Sequence, residues 1–259
     1  MKPPFFIKPV NRNRATPYTP ATLGAMQVLR SLVFTTLFLV FTLIYGVFFV
    51  AVAWLLPIHA RCALARFWGH TLLVLLRVIC GLGYTVEGIE NLPRGSHVVL
   101  MKHSSAWETF AQAALLPAQA WVLKRELTWI PVIGWGIRLL RGIAINRGAG
   151  GTAVRQMIEQ GKQRLAEGLW VVVFPEGTRM PPGQTRRYGV GGAALAADAG
   201  VLIVPVAHNS GYFWPRRGWL KKPGTIRVVI GTPIVAQGRD PREVNLEAQA
   251  FIEAHSGPT

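Results

Sequence analysis

His103 and Glu108 lie in the stretch Lys102-His103-Ser104-Ser105-Ala106-Trp107-Glu108, directly after the apolar run HVVLM. An imidazole exchanges its proton near neutral pH, and a carboxylate bonded to Nδ1–H leaves Nε2 free to accept a proton. Residues five apart on one ideal helix point about 140° apart. The pair therefore meets only if His103 lies in a turn and Glu108 in the first turn of a helix. The same carboxylate has a competing use. Ser105-Ala106-Trp107-Glu108 has the form of a capping box, in which Glu108 reaches back to the Ser105 backbone N–H. The string by itself leaves both uses open.

A second chemical string is WVVVFPEGTRM, residues 170–180. An apolar strand ending at Phe174 would put Pro175-Glu176-Gly177-Thr178-Arg179 at the carboxyl edge of a sheet, where open α/β sheets bind ligands. Gly177 lets backbone N–H groups approach an anion, Thr178 adds a hydroxyl, and Arg179 offers a two-pronged donor for phosphate. Glu176 is expected to orient Arg179 or Arg147, or to accept a bond from a substrate hydroxyl. Arg147 itself closes another short apolar run, Arg141-Gly-Ile-Ala-Ile-Asn-Arg147. A fourth string, VLIVPVAHNSG, holds Pro205, which suggests an edge strand or a bulge. It also holds His208, read as a hydrogen-bonded structural residue. No further acidic cluster accompanies His103, Glu108 and His208, so no metal site is expected.

These strings need elements to hold them. Strands are expected at 84–88, 97–101, 120–124, 142–146, 169–174, 202–207 and 226–230, and helices at 106–116, 152–167, 189–199 and 241–255. Several strands are continuous apolar runs, as in sheets covered on both faces. The fold class is α/β, with a mixed, mostly parallel sheet flanked by helices. The expected organisation is a basic segment over 1–30, a membrane-associated helical pair over 31–83 and an α/β domain over 84–259.

The helical pair follows from residues 31–56, 26 positions without a charge, long enough as a helix to reach about 39 Å against a hydrocarbon core of roughly 30 Å. Pro57 ends that run. A second apolar stretch over 60–82 carries Arg61, Arg66, His70 and Arg77 yet keeps a wide apolar face, as a helix lying against the bilayer would. Basic residues flank the first run on both sides, and the first acidic residue of the chain is Glu87. A hairpin entering and leaving on the cytoplasmic side satisfies both flanks. Only 15% of residues are charged while 51% are hydrophobic, yet the formal net charge is +16. That combination points to an anionic membrane surface, with Arg186, Arg187, Arg216, Arg217, Lys221 and Lys222 facing the headgroups and Trp214 and Trp219 either interfacial or in the core. Nucleic acid is not an expected partner, because the basic residues are scattered among apolar runs without a recognition motif. Cys62 and Cys80 stand alone, outside any CxxC or zinc spacing, and are expected to pack in helices.

Taken in order, the His motif, the Arg147 run, FPEGTR at 174–179 and VLIVPVA resemble the motifs of the glycerolipid acyltransferase family, in particular its bacterial 1-acyl-glycerol-3-phosphate members. The resemblance covers roughly residues 84–235. The family's first motif is His-x4-Asp, so Glu108 departs from it; Asn146 and Met180 stand where Asp and Ser are common. The resemblance implies acyl transfer from acyl-CoA or acyl carrier protein to the sn-2 hydroxyl of a lysophospholipid, lysophosphatidic acid first, giving phosphatidic acid. It implies His103 as base with Glu108 as its partner, Lys124 in VLKREL near the phosphate, and no cofactor beyond the acyl thioester cosubstrate. The expected location is the cytoplasmic (inner) membrane, with the α/β domain facing the cytoplasm. Another lysolipid acceptor, such as a lyso-aminolipid, and a non-catalytic membrane protein that binds lipid or carrier protein are the alternative readings.

Overall fold

A computed structural model describes residues 24–258 apart from 147 and 149. Helix α1 (Ala25–Ala53) begins several residues before the uncharged run and takes Arg30 into its first turns. It ends before Pro57, which caps the antiparallel α2 (Ile58–Cys80). Polar side chains stitch the pair together: Tyr45 Oη donates to Leu64 O at 2.9 Å and Trp68 Nε1 to Thr42 Oγ1 at 3.2 Å.

The α/β part holds β1 (Leu82–Glu87), β2 (Val98–Met101), α3 (Trp107–Leu115), β3 (Gln119–Lys124), α4 (Ile133–Leu139), β4 (Ile143–Ile145), α5 (Gly151–Ala166), β5 (Trp170–Val173), α6 (Gly191–Ala199), β6 (Leu202–His208), β7 (Gly224–Ile230), β8 (Ile234–Val235) and α7 (Pro241–His255). The strands form one sheet in the order β1-β7-β6-β2-β5-β3-β4, with β8 beside β6. Strands β6, β2, β5, β3 and β4 are parallel, while β7 and β8 run antiparallel to β6. The sheet is mixed and mostly parallel, as its apolar strands require.

Both faces are covered. Met157, Leu165, Leu195, Val244 and Ile252 from α5, α6 and α7 pack on one side. Phe34, Leu72, Leu76, Trp107 and Phe110 from α1, α2 and α3 pack on the other. The apolar hairpin thus supplies a layer of the α/β core. Gly69 of α2 makes this fit possible, since a Cβ there would lie 2.6 Å from Phe110 O of α3. Both ends of α1 also rest on the same globular body. Near its start, Gln27 Nε2 donates to Cys80 O at 3.2 Å and Lys221 O at 2.6 Å. Toward its end, Gly46 and Phe49 face Val132 and Gly136 beside α4. The outward face remains apolar and exposed, including Leu29, Val40, Leu43, Ile44 and Val47.

Two expectations change. Pro205 lies in an interior strand, not at an edge. On one side of β6 the partner is β8 over Leu202–Ile203 and β7 over Val206–His208, and Pro205 sits where they change over. Its carbonyl accepts from Gly231 N at 2.9 Å, and the donor that proline lacks is not needed at the break. Lys221 is buried, not surface-exposed, at 1% accessibility. Its ammonium donates to Ser31 O, Thr35 Oγ1 and Trp219 O and lies 4.6 Å from the Trp214 ring centre, holding the start of α1. Trp214 is in the core and Trp219 is exposed. Helix α4 and strand β8 were not expected from the sequence; α4 has two glycines in seven residues, which weakens any helical signal.

Candidate active site

Strand β2 ends at Met101, and the chain turns through Lys102-His103-Ser104-Ser105 into α3. Parallel strands β5 and β6 flank β2, so their carboxyl ends converge on that turn. Glu108 lies in the first turn of α3 with no accessible side-chain surface. Its Oε1 is 2.8 Å from His103 Nδ1, and it also accepts Ser104 N at 2.9 Å and Ser105 N at 2.8 Å. Oε2 takes a second bond from Ser105 N at 3.0 Å. The carboxylate closes the capping-box contact and holds the imidazole at once, so the two uses coexist.

These donors fix the protonation pattern. Burial pushes the Glu108 carboxyl pKa up, but bonding to His103, electrostatic interaction with the His208 and His103 rings and the Ser105 N–H outweigh it, leaving the pKa lowered. An ionised acceptor opposite Nδ1 requires Nδ1–H, which leaves Nε2 as the bare nitrogen. Among the described residues Nε2 has no hydrogen-bond partner, and the His103 side chain keeps 14% of its surface.

The FPEGTR turn grips the same histidine. Phe174 stacks on the His103 ring with centres 4.3 Å apart. Met180 N donates to His103 O at 2.7 Å, and His103 N donates to Glu176 Oε2 at 2.6 Å. Glu176 therefore does not orient Arg179, as the sequence suggested. Its other oxygen meets Lys102 Nζ at 2.8 Å, and that ammonium also meets Glu253 of α7 at 2.8 Å. Tyr188 Oη donates to Glu253 Oε1 at 2.6 Å. Burial pushes the Glu176 carboxyl up to about 7, against the pull of Lys102.

The remaining expected site residues fall in different places. Gly177 adopts φ 66°, a conformation favouring glycine, but its N–H closes the turn onto Phe174 O at 3.0 Å instead of facing an anion. Thr178 and Arg179 are half-buried. Among the described residues the buried Arg179 Nε has no hydrogen-bond partner, while its backbone oxygen accepts from Arg216. A buried guanidinium donor of this kind can take an acceptor from water or from a bound anion. Lys124 lies at the carboxyl end of β3, the strand next to β5, exposed and 2.9 Å from Glu126. Arg147 is outside the described residues; β4, which leads to it, pairs with the end of β3. Neither His208 nitrogen is open: Nε2 is 2.9 Å from Lys102 O and Nδ1 is 2.9 Å from Ser210 Oγ.

The sequence reading missed Lys102, Phe174, Tyr188, Ser210 and Glu253. A lysine ending an apolar strand was a usable signal for the first. Glu253 lies 151 positions from Lys102 on another element, and no local pattern connects them.

A carboxylate-held imidazole at the carboxyl edge of a sheet is a candidate group-transfer site. The chain matches the acyltransferase family model over residues 83–209. It is 41% identical over 234 residues to 1-acyl-sn-glycerol-3-phosphate acyltransferase of Pseudomonas aeruginosa, covering 89% of this chain and 91% of that protein. The enzyme of that name from Limnanthes douglasii is 28% identical, over 86% and 83% of the two chains. The crystal structure of the 1-acyl-sn-glycerophosphate acyltransferase PlsC from Thermotoga maritima superposes with TM-score 0.74 at 25% identity, covering 88% of this chain and 93% of that one. The chain belongs to the acyltransferase family.

Proposed function

We propose that this protein is a 1-acyl-sn-glycerol-3-phosphate acyltransferase that uses His103 as its base. The observation that carries this reading is the His103–Glu108 contact at 2.8 Å, with Nε2 open beside the FPEGTR turn. Nε2 takes the proton of the sn-2 hydroxyl as its oxygen attacks the thioester carbonyl. The new C–O bond forms, the C–S bond breaks, and the departing thiolate takes the proton from the imidazolium. No acyl-enzyme and no further cofactor are required. A positioned base of this kind contributes about 10²–10⁴ in rate.

Arg179 completes its buried donor on the acceptor's phosphate, with Lys124 and Thr178 as further phosphate contacts; the sequence motif adds Arg147, which lies outside the described residues. Glu176 and Gly177 shape the turn that carries Arg179 and is tied to the His103 backbone. The donor is acyl-CoA or acyl carrier protein.

The hairpin lies in the cytoplasmic leaflet of the inner membrane. Its first helix touches the globular body near both ends, whereas a helix crossing the bilayer would carry one end away from it. Arg186, Arg187, Arg216 and Arg217 are exposed and contribute about 1 kcal/mol each when they face anionic headgroups. The reading is tested by incubating purified protein in lipid with acyl-CoA or acyl carrier protein and a panel of lysolipids. Thiol release that requires lysophosphatidic acid supports it. Release only with another lysolipid changes the acceptor, and no release with any removes the enzyme.

A further inference from the structure

At the Oε2 oxygen of Glu108, the one not bonded to His103, lie two buried polar residues, His208 at the end of β6 and Ser210 just beyond it. Ser210 Oγ is 3.3 Å from Glu108 Oε2 and 2.9 Å from His208 Nδ1, and both Ser210 and His208 are at most 1% accessible. His208 Nε2 is 2.9 Å from the Lys102 carbonyl. A carbonyl only accepts, so Nε2 carries the proton. Burial disfavours the charged ring and holds the His208 pKa below its ordinary value, despite the Glu108 charge. In the neutral ring Nδ1 is then an acceptor.

The single Ser210 hydroxyl proton therefore has two competing acceptors, His208 Nδ1 and Glu108 Oε2, and serves one at a time. Turned to Glu108, it stabilises the carboxylate and weakens its hold on a proton-bearing His103 ring. Turned to His208, it leaves that oxygen, among the described residues, with the Ser105 N–H bond and the more distant His208 Nε2 at 3.9 Å. We propose that Ser210 and His208 are positioning residues of the acyl-transfer site, with the shared Ser210 hydroxyl setting how strongly Glu108 grips His103. This rests on His103 being the base, as proposed above.

Protonation of His208 would extend the chain in one direction, with Nδ1–H donating to Ser210 and Ser210 to Glu108. The titratable or charged groups facing His208 are Glu108, His103 and Lys102, and those facing Glu108 are His103 and His208. Trp107 closes the remaining side edge-on, with ring centres 5.7 Å apart.

The two substitutions have opposite signatures. Ser210→Ala removes a donor from Glu108, so the acid limb of kcat/KM against pH moves to higher pH, by about half a unit for one hydrogen bond in a buried site. His208→Gln keeps an N–H for Lys102 O but removes Nδ1. Ser210 then donates to Glu108 throughout, and the limb moves to lower pH. In the double variant the limb returns to the Ser210→Ala position, because the effect of His208 passes through the hydroxyl. The KM for the acceptor stays unchanged in all three, and kcat falls about three- to tenfold.

The experiment records kcat/KM for lysophosphatidic acid across pH for the full-length parent, both single variants and the double variant. His103→Ala is run alongside, and thermal unfolding checks each protein. If Ser210→Ala does not fold, Ser210→Cys keeps a weaker donor in a slightly larger side chain and shifts the limb the same way by less. Limbs unchanged in both single variants, or a His208→Gln shift that persists without Ser210, overturn the inference. An acid limb that survives in an active His103→Ala protein overturns the base assignment instead.

Discussion

Glu176 accepts the His103 backbone N–H at 2.6 Å through one oxygen while the other oxygen meets Lys102. One ammonium lies between two carboxylates, Glu176 and Glu253, so the cluster has a net negative charge when both are ionised. With the Glu176 carboxyl raised to about 7 by burial, the folded state binds a proton that the unfolded chain releases above its ordinary value of 4.5. Stability is then fully present below that value and is lost as pH rises through about 7. Chemical denaturation between pH 4.5 and 7 should show this fall in the parent. Glu176→Gln should lack it while losing activity, because one amide oxygen cannot serve both the His103 N–H and the Lys102 ammonium. A fall of the same size in both proteins would remove Glu176 as its source.

Glu108 serves two structures at once, so its replacement should harm both. Glu108→Gln keeps the size but cannot accept from Ser105 N and His103 Nδ1 with the same charge. Activity should fall by at least a hundredfold, and stability by about 1 kcal/mol from the weakened cap. Turnover against unfolding free energy separates the two losses. Stability lost with normal turnover would reduce the carboxylate to a helix cap.

Arg179 should act through the acceptor. Its buried Nε has no partner among the described residues, and a charge-assisted bond contributes about 1.5–3 kcal/mol. Arg179→Ala should raise KM for lysophosphatidic acid roughly ten- to hundredfold and change kcat less. An unchanged KM would place the phosphate elsewhere.

The hairpin offers a separate test. Cysteines placed singly at positions 26 and 55, at opposite ends of the hairpin's first arm, and at 250 in α7, should all be on the same side of the membrane. In sealed vesicles an impermeant thiol reagent should reach position 250 from the side where soluble proteases also cut, and should never label position 26 from the opposite side alone. Labelling of 26 and 250 from opposite faces would mean that the chain crosses.

The sequence showed the edges of this site better than its interior. HVVLM followed by His103, and WVVVF followed by PEGTR, announce strands ending at one sheet edge, because buried parallel strands are uninterrupted apolar runs. The partnership of His103 with Glu108 was legible for the same local reason, since a turn and one helical turn bring the two together. The Glu108–Ser105 contact competes with it only on paper, because two oxygens serve both. What the sequence hid depends on distant pairing. Lys221 reads as one more surface base beside Lys222, and only the docking of Ser31 and Thr35 buries it. Glu253 reads as a solvated residue of an amphipathic helix, and Gly177 as an anion-binding nest until its N–H is found closing the turn. Pro205 misleads because strand partners are not written locally: its missing donor falls where β8 gives way to β7.

The most direct test of the central claim compares the parent with His103→Ala in the same lipid. Both are given lysophosphatidic acid and a saturating acyl thioester, and thiol release and phosphatidic acid are measured together. The base assignment predicts that the variant folds, stays with the lipid and loses turnover about 10²–10⁴-fold. A folded His103→Ala protein that forms phosphatidic acid at the parent's rate would contradict it.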